Sequence, residues 1–230
     1  MILNILLQTG ITTAETTDVV ANTVESVGLW QLILAGGWVM IPLFILSLVS
    51  IYLFVERFLT VKAANKISEN FVDNVKRDVL SGNIDDALAL CESENTPASR
   101  MIEKGISRIG SPLKDIEAAI ENVGKIEINR LEKNLSSLAT IAGVGPMIGF
   151  LGTVIGMIQA FITINNEGVA NVASMSKGIY EAMVTTATGL IVGVIAYIAY
   201  NYLTAAVQKI IHKMEHASIE FIDLLQEPSK

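Results

Sequence analysis

In "GIYEAMVTTATGLIVG", residues 178–193, one carboxylate, Glu181, shares an otherwise apolar run with Thr185, Thr186 and Thr188. Another hydroxyl, Thr153, stands in the preceding apolar block. A carboxyl group takes up and releases protons, and hydroxyls both donate and accept hydrogen bonds, so the set has the chemistry of a wetted proton path. An ionisable residue within a membrane span points to an ion or proton pathway. At 100° per residue, Thr185 and Thr188 fall within about 40° of Glu181 on a helix, whereas Thr186 sits about 140° away. The competing reading is structural: the threonines bond to backbone carbonyls and Glu181 pairs with Lys177, one turn earlier. One acid does not make a complete route, so conduction needs an oligomer or a partner with a second titratable group.

The elements that must position these residues are legible as apolar blocks. The chain has 230 residues and is 51% hydrophobic, with a mean hydropathy of +0.52, which does not suit a soluble surface. Residues 29–55 and 135–164 carry no charge, and in 178–207 Glu181 is the only one. Each block exceeds the ~20 residues that cross a bilayer. Gly36, Gly37 and Pro42 are tolerated in a membrane helix when neighbours satisfy the freed backbone groups, and Trp30, Trp38 and Tyr52 suit its interfaces. No Lys or Arg precedes the first block, 12 lie in 56–134, Lys177 alone separates the second and third blocks, and three follow. Because cytoplasmic loops carry the excess of bases, this count predicts an N-terminus outside and a C-terminus inside. The expected fold is an all-α integral membrane protein with three transmembrane helices, two of them extending into the cytoplasm. Segment 1–28 lies outside, 56–134 is a cytoplasmic helical segment, 165–177 an outer loop and 208–230 a cytoplasmic tail.

The net charge of −7 calls for no basic ligand, since the 14 acids in 56–134 are interleaved with the bases there, as on solvated helix faces. The start, "MILNILLQTGITTAETT", lacks a basic n-region and has a short apolar stretch, which argues against a cleaved signal; residues 16–29 are expected to form a short outer-surface helix. Ala63, Ile67, Phe71, Val75 and Val79 make a stripe for a helix over 62–79, ended by Ser81-Gly82-Asn83. A second helix follows from Ile84 to about Glu92 and a third from about Ala98 to Gly110-Ser111-Pro112. After Pro112, Leu113, Ile116, Ile120, Val123, Ile128, Leu131 and Leu135 keep helical spacing, with only Gly124 interrupting, so the second span is expected to begin as one long helix. The third span is expected to continue through Ile210, Met214, Ile222 and Leu225. Two such helices can pack antiparallel.

Gly145, Gly149, Gly152 and Gly156 share one helix face, and Gly189 and Gly193 form a matching pair; small residues let membrane helices approach closely. No phosphate loop is present, and Gly143, Gly145 and Gly149 miss the dinucleotide spacing by one. His212 and His216 stand in H-K-M-E-H, a solvated pair and not a metal motif. Cys91 is the only cysteine, cannot close an intramolecular disulfide, and reads as a buried thiol. No cofactor, metal, nucleic acid or enzymatic chemistry is expected.

These residues resemble the MotA/TolQ/ExbB family of proton-channel subunits, in its ExbB and TolQ branch. The resemblance rests on "GGWVMIPLFILSLVSIYLFVERF", on "GNIDDALALCESENTPASRMIEKGISR", and on the pair "GPMIGFLGTVIGMIQAF" and "GIYEAMVTTATGLIVGVIAYIAYNYL", together covering roughly 36–225. It implies a bacterial inner-membrane homopentamer enclosing the membrane helices of two ExbD- or TolR-like proteins. Proton flow past an aspartate on that partner then energises TonB- or TolA-like proteins. The outer side becomes the periplasm. Carried over by residue, Glu181 matches the third-span glutamate, and Thr153 and Thr186 match the pore-lining threonines, so the motif favours Thr186 where the wheel favours Thr185. Three spans, in place of four with a larger cytoplasmic region, argue against a flagellar stator. The expected function is an ExbB-like proton-channel subunit that energises TonB-dependent outer-membrane transport; a TolQ-like subunit of the Tol-Pal system and a non-conducting scaffold stay open.

Overall fold

A computed structural model describes residues 36–226 except 67, 69 and 168–171. The expected outer-surface helix over 16–29 and the start of the first apolar block lie outside the described residues. Within them every regular element is an α-helix: α1 (Met40–Ala64), α2 (Phe71–Leu80), α3 (Ile84–Glu94), α4 (Pro97–Ile106), α5 (Leu113–Glu132), α6 (Leu135–Glu167) and α7 (Val172–Gln226). Three helical stretches, Met40–Ala64, Leu113–Asn166 and Met175–Gln226, are long and apolar enough to cross a membrane. The longest of these helices among the described residues, α7, has 55 residues, well over the ~20 that cross a bilayer.

The chain divides into two compact units, Met1–Ile41 with Phe150–Ala187, and Pro42–Gly149 with Thr188–Lys230. In the second unit the short helices share a core in which Phe71, Val75, Ile102, Ile106 and Ile120 pack with Leu203, Val207 and Phe221 of α7. α4 is seated there by Gly105, where an added Cβ would lie 2.6 Å from Phe221 Cε1 and 2.8 Å from Ile120 Cδ1. Its start is set by a capping box: Thr96 Oγ1 accepts from the Ser99 amide at 3.2 Å, and Ser99 Oγ accepts from the Thr96 amide at 2.9 Å. Pro97 occupies the first turn, where its missing N–H costs nothing.

Two expected helices are shorter than the apolar spacing implied. Ala63 lies in the last turn of α1, which continues past Val55 to Ala64, and α2 begins only at Phe71, so Ala63 and the trio Phe71, Val75 and Val79 belong to different helices, while Ile67 lies outside the described residues. The expected single helix from Leu113 into the second span is broken at Lys133–Asn134. Lys133 is extended (ψ 136°) and Asn134 is left-handed (φ 65°), a conformation that asparagine tolerates better than most residues. Distant partners hold the break: Asn134 Nδ2 donates to Glu56 Oε2 at 3.2 Å, and Arg57 Nη1 donates to the Arg130 carbonyl at 3.1 Å, one of the orphan acceptors at the end of α5. Ahead of α1 a turn spans 36–39 with Gly37 at φ 65°, where a continuous helix through the apolar block was expected.

α6 and α7 also meet in the second unit through small residues. An added Cβ at Gly193 would come 2.6 Å from Pro146 Cγ and Cδ and 3.0 Å from the Ala142 carbonyl oxygen. That carbonyl is the acceptor that Pro146, lacking an N–H, leaves without its helical donor.

Candidate functional site

The first unit holds Glu181, Thr153, Thr185 and Thr186 together. Close approach of α6 and α7 there depends on missing side chains. A Cβ at Gly156 would lie 3.0 Å from both the Gly178 carbonyl oxygen and Ala182 Cβ, and one at Gly152 would lie 2.5 Å from Thr185 Oγ1. Across this seam Thr153 Oγ1 donates to the Ala182 carbonyl at 3.2 Å and is hydrogen-bonded to Thr186 Oγ1. Thr185, 1% exposed, donates to the same Ala182 carbonyl at 2.8 Å. A hydroxyl has one proton, so when Thr153 gives its own to Ala182 it accepts from Thr186. Reversal needs only rotation of the two hydroxyls.

Glu181 is half-buried and lines a narrow crevice with Thr185, Gln159, Gly36, Gly152 and Gly156. Gly37 lies against its Oε1, so a side chain at Gly37 would collide with the carboxylate and would also have to adopt φ 65°. The pairing of Glu181 with Lys177 does not form among the ion pairs of the described residues. Both third-span threonines therefore have a place. Thr185, nearest on the wheel, shares the crevice of Glu181, and Thr186, favoured by the motif, bonds to Thr153. Thr188 belongs to the second unit. Sequence reasoning passed over Gln159 and read Gly36 and Gly37 only as positions within a membrane helix. Gln159 carried a signal, as an amide within an uncharged block, whereas nothing local marks the turn as a neighbour of Glu181.

Other polar residues have structural settings. Glu127 is 4% exposed and bound by Arg100 through Nε at 3.0 Å and Nη2 at 2.6 Å, with Arg130 Nη1 at 3.1 Å. Cys91 is fully buried; desolvation, with Glu103 adding a smaller effect, pushes its thiol up to about 12. His212 and His216 are exposed and face Glu215 and Glu220.

The MotA/TolQ/ExbB proton channel family matches residues 93–216, more than half of the chain and including Thr153, Glu181 and Thr186. The chain belongs to this family. Relatives carry the names of both systems in its branch. The chain is 29% identical over 187 residues to the biopolymer transport protein ExbB of Neisseria meningitidis, covering 74% of this chain and 84% of that one. It is 25% identical over 219 residues to the Tol-Pal system protein TolQ of Pseudomonas aeruginosa, covering 89% and 95%. An ExbB homologue of Methanothermobacter thermautotrophicus is 29% identical over 176 residues; the match covers 75% of this chain but only 62% of that protein. The family is described as one of proton channels.

Proposed function

We infer that the chain is the proton-channel and stator subunit of an inner-membrane motor complex, ExbB-like, that uses the proton motive force with an ExbD-like partner to energise TonB-dependent outer-membrane transport. The hydroxyl bridge between Thr153 and Thr186 carries this reading, with Glu181 five residues earlier on α7 in the same unit. Each hydroxyl passes its own proton on as it takes another up and then rotates back, so the pair relays a proton between the partner's carboxylate at one end and water at the other without moving either helix. The carboxylate of Glu181 adds a polar crevice beside them, and a carboxylate on the partner's single membrane helix supplies the second titratable group. Subunits form a pentamer around two such helices. Glu181, Thr153 and Thr186 face that partner.

The distribution of lysine and arginine supports an N-terminus in the periplasm and a C-terminus in the cytoplasm, with 56–134 and 208–230 inside. The long match to a TolQ supports a second reading, a TolQ-like subunit working with TolR- and TolA-like proteins. The capture of the Thr153 hydroxyl by the Ala182 carbonyl supports a third, a scaffold whose polar groups only lock helices together. Co-purification with a small one-span protein separates the motor readings from the scaffold. A stable complex is expected, in which a photo-crosslinker at Thr186 captures the partner's helix; no complex, or capture only outside the membrane helix, rejects the motor.

A further inference from the structure

We propose that the second unit carries a binding groove between α1 and α7 for an anionic phospholipid, with an acyl chain along its apolar walls and the phosphate at Lys62 and Lys209. The groove has two connected parts. Ile51, Phe54, Ile195 and Ile198 line an apolar hollow of about 350 Å³ together with Phe58 and Tyr202. Phe58 and Tyr202 also line the next hollow, of about 340 Å³, where Lys62, Asn65 and Lys209 supply the polar groups. Both volumes fall within the ~300–1,000 Å³ of ligand clefts.

The wall joining the two is aromatic, with one tilted and one stacked ring pair. Phe54 and Phe58 have ring centroids 5.9 Å apart, and Phe58 and Tyr202 lie 6.3 Å apart at 29°. Such a ladder fixes an apolar channel that ends at two cations. No acidic side chain lines either hollow, and neither lysine joins an ion pair among the described residues. In a chain of net charge −7, two such lysines at the end of an apolar groove match an amphiphile with an anionic head. An apolar helix from a second copy would cover the same groove but leave both ammonium groups desolvated without a counter-charge, a costly arrangement. Ile51 and Ile198 are 54% and 62% exposed, as for side chains that meet lipid. The proposal rests on α1 and α7 crossing the bilayer and is independent of proton conduction.

Native mass spectrometry of the detergent-extracted protein, with equal phosphatidylglycerol and phosphatidylcholine added, tests it. The protein retains phosphatidylglycerol over phosphatidylcholine by roughly tenfold or more, because each lysine near an anionic head favours it severalfold. In the Lys62→Gln/Lys209→Gln double variant that preference falls to near one, while residual phosphatidylcholine binding and an unchanged melting temperature report an intact fold. Equal retention of the two lipids by the wild type, or an undiminished preference in the double variant, overturns the proposal. The groove-filling Ile198→Trp lowers retention of both lipids. If it instead dissociates the oligomer and leaves lipid retention unchanged, the groove is a subunit interface and the proposal fails.

Discussion

Gly189 gives the sharpest test of how α6 and α7 are held. In Gly189→Ala the new Cβ would lie 2.7 Å from the Gly145 carbonyl oxygen, 2.9 Å from Gly149 Cα and 3.1 Å from Gly149 N. All three neighbours are backbone, so no rotamer change relieves the overlap. Restoring a contact of ~3.5 Å requires the helices to part by roughly 0.5–1 Å. Overpacking of this kind costs about 1–3 kcal/mol, which multiplies the unfolded fraction by roughly 5–150. Equilibrium unfolding in mixed micelles, followed by circular dichroism, measures it. Gly143→Ala is the matched control: it is exposed, nothing lies within 4 Å of its Cβ, and helix propensity makes it neutral or stabilising by up to ~1 kcal/mol. Equal stability of Gly189→Ala and wild type, or an equal loss in both variants, would refute close backbone packing as the basis of this contact.

Asn134→Gly retains the left-handed break and stays near wild-type stability, whereas Asn134→Ala loses about 1–2 kcal/mol from the αL penalty and loses its bond to Glu56, read in the same unfolding assay. Glu127→Ala strands Arg100 and Arg130; because Arg130 is 62% exposed and can reach water, we expect about 2 kcal/mol, below the ~3–5 of a fully buried pair. Cys91 resists alkylation in the folded protein at pH 8 and reacts once it is unfolded. With its thiol raised from 9.0 to about 12, the stability it contributes is complete below pH 9 and is lost as pH rises towards 12, a decline that Cys91→Ala removes.

The apolar blocks announced three candidate spans because charge is excluded from them over lengths that no loop needs. They did not announce the breaks. Asn134 tolerates the left-handed backbone but is also common on helix surfaces, and the side chain that holds it at the break, Glu56, is 78 residues away. Ala63 has the spacing of the next helix yet lies in the last turn of α1, since periodicity extrapolates through a turn when the residue types agree. The candidate site divides in the same way. A helical wheel orders residues on one helix and put Thr185 beside Glu181, where the crevice has it. The partnership of Thr153 with Thr186 needs two helices brought together by Gly152, Gly156 and Gly178, and only the resemblance singled out these two among the threonines. Gly37 had no local signal at all, because its neighbour Glu181 is distant in the chain.

Proton flux into liposomes containing the chain with its single-span partner bears most directly on the role of Glu181 and the threonine pair. Under an imposed membrane potential, the wild-type complex is expected to acidify the lumen, and Glu181→Gln and Thr186→Val to slow it tenfold or more, equivalent to a barrier rise of at least ~1.4 kcal/mol. Thr153→Ser, which keeps its hydroxyl, stays near the wild-type rate. Wild-type flux in both Glu181→Gln and Glu181→Ala would contradict a role for Glu181 in proton passage.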